Sequence, residues 1–338
     1  MSGRGAAAGA PMKRNLFAGK RRSDGVRFEV FTEDELTDIH LGTMEVLERT
    51  GVYVEDEEAR EVFAGAGAEV DSGKGVVRIP PHVVEQAIRT APSKVVLAGR
   101  NPRNDIVLEA GRVGFTNFGE GVLIVDPSTG ELRAPTKQDV ADTAKVADYL
   151  SNVDVYERAV AAHDVSQASA PLHQAEAWMT NTSKHGFMGS GNAYLSGRLL
   201  DMAGAIVGGR DKLRTRPVIS FITCPVSPLK LVRDTCEIIV AAARGHVAVN
   251  ILSMAMAGGS SPVTLAGTLV THNAEVLAGL TLSQLTRPGA AVIYGSSTTA
   301  MDLRLASASV GSPECALISA AVAQIARFYL LPSWVAGA

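Results

Sequence analysis

Val247-Ala248-Val249-Asn250-Ile251-Leu252-Ser253 is followed by the small-residue stretch Ser253-Met254-Ala255-Met256-Ala257-Gly258-Gly259, by Ser261-Pro262, by an apolar segment reaching Leu285, and then by Ala290-Ala291-Val292-Ile293-Tyr294-Gly295. Short apolar strand, long helix, short apolar strand is the pattern of a βα unit. The same pattern extends in both directions. Strands are predicted over 154–160, 186–189, 217–223, 247–253 and 290–295, with a sixth in Leu330-Leu331-Pro332-Ser333-Trp334-Val335-Ala336-Gly337-Ala338. Helices fill the intervals at 172–183, 194–207, 228–244, 262–285 and 313–329. Strand starts recur every 30 to 45 residues or about that, which is the size of such a unit. Ser227-Pro228, Ser261-Pro262 and Ser312-Pro313 each read as an N-cap hydroxyl ahead of a proline in the first helical position.

Successive βα units without an antiparallel interruption call for a parallel sheet, either open and doubly wound or curled into a barrel. The loops after the strands favour the barrel. Ala162-His163-Asp164, Ser190-Gly191-Asn192, Thr223-Cys224-Pro225 and Gly295-Ser296-Ser297-Thr298-Thr299 are rich in small and hydroxyl residues suited to lining a mouth. A complete barrel of this kind has about eight strands. The fold class expected is therefore α/β, a TIM (β/α)8 barrel incomplete at its carboxyl end, with about six units over 151–338.

Ahead of the barrel, residues 31–150 read as a helical and hairpin region. Thr32-Glu33-Asp34-Glu35 is a capping box opening a helix to residue 50, closed by Gly51. Helices over 57–64, 81–90 and 136–150 and a strand over 76–79 follow. Between 95 and 135 short apolar runs, among them Val113-Gly114-Phe115, are divided by Asn101-Pro102 and Asp126-Pro127-Ser128-Thr129-Gly130, which predicts a small antiparallel sheet or hairpin pair. Gly65-Ala66-Gly67 has no preceding strand and makes a poor phosphate loop. Residues 1–30 carry a run of Lys and Arg among Gly and Ala, the composition of a disordered basic tail.

Composition bounds the function. The chain has 338 residues, 46% hydrophobic and 20% charged, with a net charge of −3. That is a globular composition without an overall nucleic-acid surface. No run of about 18 uncharged apolar residues occurs, so no membrane span is predicted. The three cysteines, Cys224, Cys236 and Cys315, show no paired spacing, which suits a reducing cytoplasmic setting.

Particular residues resemble a known family. Ser261-Pro262-Val263-Thr264-Leu265-Ala266-Gly267-Thr268, His272-Asn273-Ala274-Glu275, Pro288-Gly289-Ala290-Ala291-Val292-Ile293-Tyr294-Gly295-Ser296-Ser297-Thr298, Met301-Asp302-Leu303 and Gly311-Ser312-Pro313-Glu314 are similar to the trimethylamine:corrinoid methyltransferase (MttB) family. So are Phe118-Gly119-Glu120-Gly121 and Leu331-Pro332-Ser333-Trp334-Val335-Ala336-Gly337. The resemblance implies a TIM barrel that moves a methyl group from trimethylamine to the cobalt of a separate corrinoid protein. The cobalamin is then carried by the partner and none is bound directly. It also implies pyrrolysine near the end of a late barrel strand, and that strand resembles the terminal one. The expectation is that Ala338 precedes the pyrrolysine codon and that two units of the barrel lie beyond it. The alternatives are a pyrrolysine-free methyltransferase for quaternary amines such as glycine betaine, and an inactive truncated barrel. A homo-oligomer is expected of the full-length protein, with no nucleic acid or membrane partner.

The amine must be held where cobalt can approach its methyl carbon in line. Candidate catalytic residues are Glu120, in a Gly-flanked loop, the pair His163 and Asp164 after the first barrel strand, and Tyr294. Candidate substrate-binding residues are Phe118 and Trp334 as aromatic faces for a cation, and Ser296, Ser297 and Thr298 as donors. Tyr156 is a further aromatic candidate for the wall. Zinc requires three or four clustered ligands. Only Cys224 among the cysteines falls at a strand end and His272 falls mid-helix, so no metal is predicted.

Overall fold

The computed structural model describes residues 28–109 and 111–336. The basic tail lies outside the described residues up to residue 27, as do Gly337 and Ala338, where the pyrrolysine expectation was placed. By Val30 the chain is already docked. The amides of Val30 and Phe31 donate to Gln324 Oε1, at 2.9 and 3.0 Å.

The N-terminal region runs α1 (Glu33–Glu45), β1 (Val52–Val54), α2 (Glu57–Gly65), β2 (Glu69–Asp71), β3 (Val76–Arg78), α3 (Pro81–Thr90), β4 (Val95–Leu97), β5 (Ile106–Leu108), β6 (Ile124–Val125), β7 (Leu132–Arg133) and α4 (Lys137–Tyr149). The capping box forms: Glu35 N donates to Thr32 Oγ1 at 3.3 Å and Thr32 N donates to Glu35 Oε2 at 2.8 Å. The last turn of this first helical stretch is a π-helical turn over Val46–Thr50, ended by Gly51 at φ 77°. A Cβ on Gly51 would lie 2.5 Å from the carbonyl oxygen of Val77, so the close approach as well as the φ demands glycine.

The second half runs β8 (Val155–Glu157), α5 (Ala170–Asn181), β9 (His185–Met188), α6 (Ala193–Val207), β10 (Ile219–Thr223), β11 (Lys230–Leu231), α7 (Arg233–Gly245), β12 (Val249–Ser253), β13 (Met256–Ala257), α8 (Leu265–Thr286), β14 (Val292–Ser296), β15 (Thr299–Asp302), β16 (Ser307–Ala308), α9 (Pro313–Phe328) and β17 (Ser333–Val335). Six of these strands form one parallel sheet in the order β17-β14-β12-β10-β9-β8. Spatial order equals chain order, so every crossover steps the same way. A doubly wound sheet would reverse its order at a switch point. This one winds as a barrel wall does.

The curl is visible in a single contact. Phe187 on β9 stacks on Trp334 on β17, with ring centroids 4.4 Å apart, although three strands of the sheet separate them. In a flat sheet those strands would stand about 19 Å apart. The interior cluster that results joins Val155, Phe187, Ala248 and Ile293 to Val95, Leu97 and Ile106 of the β4–β5 hairpin. That hairpin plugs the end of the barrel from which the strands start. The outward faces of the strands pack under the helices in a second, larger cluster that includes Tyr156, Met188, Phe221, Ile251 and Tyr294.

Two of the three Ser-Pro helix starts do not form. Ser312 caps α9 with Pro313 in its first turn, and Cys315 N donates to Ser312 Oγ at 3.1 Å. Ser227-Pro228 instead precedes β11, which pairs in parallel with β1, and α7 begins only at Arg233. The Ser227 hydroxyl is committed to Glu275 at 2.8 Å and so is not available as a cap. Ser261 Oγ meets Thr268 Oγ1 at 2.9 Å, and the N-cap of α8 is Thr264. Val113–Phe115 forms no hairpin strand. Its segment runs beside β8, with Asp154 N donating to Phe115 O at 2.7 Å and bridges from Thr116 to Val155 and from Gly121 to Val160. The hairpin partners of this region are β4 with β5 and β6 with β7.

Candidate functional site at the barrel mouth

Alternation along the paired strands fixes which side chains face the interior. Val155, Phe187, Ile293 and Trp334 meet inside, so Glu157, Asn250 and Gly295, which share their parity or their register, face inward too. Glu157 lies beside Phe187 on the neighbouring strand. Phe187 stacks on Trp334, and Trp334 pairs in register with Gly295. A Cβ on Gly295 would fall 1.9 Å from Asn250 Oδ1, so only glycine leaves room for that amide. Asn250 is fully buried, and neither its Oδ1 nor its Nδ2 has a hydrogen-bond partner. An orphaned amide at this depth costs desolvation that a ligand could offset.

The segment bearing Glu120 is locked against β8. Asn117 Nδ2 donates to Glu157 O at 2.6 Å and Glu157 N donates to Asn117 Oδ1 at 3.0 Å. Gly119 lies so close that a Cβ there would stand 2.7 Å from Glu157 Cγ. Glu120 pairs with Arg158, which is 6% exposed. Arg158 also reaches Gln174 through Nη1, while its Nε is buried without a partner. Glu120 and Gln174 thus engage the guanidinium, and Glu157 feels its charge at longer range. Burial, and then the negative charge of Glu120, push Glu157 up from 4.5 to about 8, against a smaller opposing pull from Arg158. Burial, followed by the same two carboxylates, raises the Cys224 thiol to about 11, so Cys224 is a neutral neighbour.

Stability follows from this protonation. Between about pH 4.5 and 8 the folded chain holds a proton on Glu157 that the unfolded chain releases, so this group favours folding at low pH and its contribution falls as pH rises. Glu157→Gln should remove that slope. The variant should gain about 4 kcal/mol relative to wild type between pH 5 and pH 8.5, read from urea unfolding at the two pH values. Parallel pH profiles for the two proteins would show that Glu157 does not titrate in this range.

The other predicted residues lie as follows. Phe118 is 78% exposed. His163 is exposed, with its amide donating to Pro135 O at 2.9 Å, and Asp164 Oδ1 accepts from Lys137 N at 2.7 Å, at the start of α4. Tyr156 and Tyr294 are on the outward face. Tyr156 OH meets Thr143 Oγ1 at 3.1 Å, and Tyr294 OH donates to Asn273 Oδ1 at 2.7 Å beneath α8. Burial holds the Tyr294 hydroxyl far above the ordinary range. Ser296 and Thr298 are buried: Ser296 Oγ accepts from Thr298 N at 3.1 Å, and Thr298 Oγ1 meets His272 Nδ1 at 2.9 Å. Ser297 is half-buried, its amide donating to Ser253 O at 2.9 Å. The structure therefore brings Glu120 and Trp334 into the interior belt's neighbourhood and spreads the others around it. The sequence reading missed Glu157, Arg158 and Asn250. Parity with Val155 along a barrel strand would have found Glu157.

Among the described residues no group of three or more His, Cys, Asp or Glu is placed to hold a metal ion. No helix there is long and apolar enough to cross a membrane.

A profile of the trimethylamine methyltransferase (MTTB) family matches residues 2–338. The trimethylamine methyltransferase MttB of Desulfitobacterium hafniense (strain DSM 10664 / DCB-2) is 50% identical over 328 residues, covering 97% of this chain and 66% of the relative. The glycine betaine methyltransferase of Desulfitobacterium hafniense (strain Y51) is 36% identical over 309 residues, covering 91% and 64%. The chain thus spans about two thirds of the length of the curated relatives it matches. The crystal structure of the Methanosarcina barkeri monomethylamine methyltransferase MtmB superimposes with a TM-score of 0.54 at 14% identity, over 90% of this chain and 67% of that one. At that identity the likeness is one of fold.

Proposed function

Because the chain belongs to the trimethylamine methyltransferase (MTTB) family, we propose that it serves in moving a methyl group from a methylated amine to the cobalt of a corrinoid held by a separate protein. The observation that carries this reading is the interior belt. An ammonium ion is stabilised by carboxylates and by aromatic faces, and Glu157 lies beside the stacked pair of Phe187 and Trp334. Trimethylamine is the favoured donor. Identity is 50% to the trimethylamine enzyme against 36% to the glycine betaine enzyme.

The proposal extends to the setting. Free cysteines suit the cytoplasm. Among the described residues β17 is an outer strand of the barrel sheet that pairs only with β14, and such an edge suits association into a homo-oligomer. The test is an assay of the protein from its native reading frame with its cognate corrinoid protein in the cobalt(I) state. Trimethylamine should convert the corrinoid to methylcobalt(III) and yield dimethylamine, with glycine betaine at least about tenfold poorer. Turnover of betaine alone would reverse the substrate assignment, and no methylation from any amine would overturn the reading.

A further inference from the structure

The proposed function leaves open how the site tells one methylated cation from another. Three observations converge on Glu157. Its carboxyl faces the barrel interior at the carboxyl end of β8, next to the Phe187 ring that stacks on Trp334. Asn117 holds both its N–H and its C=O, and its Cγ is overlaid by Gly119, so the side chain has little freedom to swing away. The same belt ends in the buried Asn250 amide, with both polar atoms unpartnered. An acidic pair alone would be unremarkable, whereas an orphaned amide in the same belt points to a polar ligand.

Resting on the proposed function, we propose that Glu157 is a specificity-determining residue that accepts the single N–H of a protonated tertiary amine, so that the site prefers such amines to fully quaternary ammonium ions. A tertiary ammonium offers one strong donor, and a carboxylate accepts it in a charge-assisted hydrogen bond. A quaternary ion offers only methyl groups, which satisfy the aromatic faces and leave the carboxylate without a donor. Seating either cation drives the Glu157 proton into solvent, because the unoccupied carboxyl holds it at neutral pH. The charged groups facing Glu157 are Glu120 from the 117–121 segment and Arg158 from the end of β8, with the neutral Cys224 thiol after β10. Arg158 is already engaged by Glu120 and Gln174, which leaves Glu157 as the carboxyl that responds to an incoming cation.

The experiment is calorimetric titration of the purified 338-residue chain with trimethylammonium and with tetramethylammonium chloride from about pH 6 to 8.5, below the range near 10 where alkylammonium groups titrate. Trimethylammonium should bind about tenfold more tightly. The affinity for tetramethylammonium, whose charge is permanent, should rise by up to about tenfold per pH unit and level off near pH 8. Glu157→Gln should abolish both the preference and the slope. Infrared difference spectra of the wild-type chain should show a protonated-carboxyl stretch that disappears on adding either cation, a readout that needs no variant. Equal binding of the two ions, a preference that survives in Glu157→Gln, or no binding of either ion would overturn the assignment. The two readings fail separately. Methyl transfer with unchanged selectivity in Glu157→Gln sinks the residue assignment alone, and selective cation binding without methyl transfer sinks the proposed function alone.

Discussion

A methyl group placed on Gly186 should destabilise the fold by about 3 kcal/mol, measured as the shift in urea unfolding of Gly186→Ala. Gly186 lies in β9 on its outward face, and the indole of Trp178 on α5 lies directly against it. A Cβ there would stand 1.9 Å from Trp178 Cη2 and 2.0 Å from Cζ3. Trp178 is 2% exposed, donates through Nε1 to Met188 Sδ at 3.4 Å and packs near the Tyr156 ring, so it has nowhere to retreat. Alanine ordinarily gains up to about 1 kcal/mol over glycine by restricting the unfolded chain. Here that gain is outweighed, because either the ring or the strand must move. A shift of the strand would carry the adjacent Phe187 with it and disturb its stacking on Trp334. Combining Gly186→Ala with Trp178→Leu should lose at least about 1 kcal/mol less than the sum of the two single changes. Strict additivity would show that the ring is not what resists the added methyl.

The contrast between Gly186 and Ser312-Pro313 shows what the sequence could and could not convey. A capping pair followed by an apolar run acts locally, and α9 starts where Ser312 and Pro313 place it. The six βα units were legible for the same reason: each strand and helix announces itself within about a dozen residues, and chain order then became strand order. Ser227-Pro228 carries the same local signal but lost to a distant partner. The Ser227 hydroxyl bonds Glu275, 48 residues away, and Lys230 and Leu231 pair with β1 from the first part of the chain. The site failed in a related way. Val155-Tyr156-Glu157 lies in a strand covered on both faces, so hydrophobicity does not reveal which side chain faces inward. Tyr156 and Tyr294 drew notice as aromatics and turn toward the helices, while Glu157 and Asn250 turn toward the interior. His163 and Asp164 follow the expected strand, but the Asp164 carboxylate is taken up by the first turn of α4. Facing is decided by register between strands, and register is a long-range property.

Glu275→Ala should be the more damaging of the two largest changes, costing about 4 kcal/mol. Glu275 is 1% exposed in the middle of α8 and receives three donors. Ser227 Oγ donates to its Oε2 at 2.8 Å and Ser253 Oγ to the same oxygen at 2.6 Å. The Leu229 amide donates to Oε1 at 3.0 Å. One carboxylate therefore ties the loop after β10 to the end of β12. A turn earlier on the same helix, His272 reaches Thr298 after β14, and Asn273 Nδ2 donates to Thr43 Oγ1 on α1 and to Tyr329 OH. The side of α8 that carries His272 and Glu275 is thus a brace for the mouth, while Asn273 ties the helix to α1 and to Tyr329, and together these bonds explain why a helix with buried residues nearly all round retains His, Asn and Glu within one turn. Burial raises the Glu275 carboxyl despite its three hydrogen bonds, so the charge is already costly to hold. Removing it strands two hydroxyls and an amide in the interior, and a buried donor without a partner forfeits its full desolvation energy. Glu275→Gln keeps the shape and one acceptor oxygen, and should cost about half as much. The ordering Ala worse than Gln separates lost hydrogen bonds from lost charge. Were Gln as damaging as Ala, the charge itself would be the stabilising element. The brace also predicts a functional signature: hydrogen exchange in residues 224–232 should accelerate in Glu275→Ala while the β4–β5 hairpin at the opposite end of the barrel stays protected. Uniform acceleration across the chain would mean that Glu275 supports the whole fold and has no particular hold on the mouth.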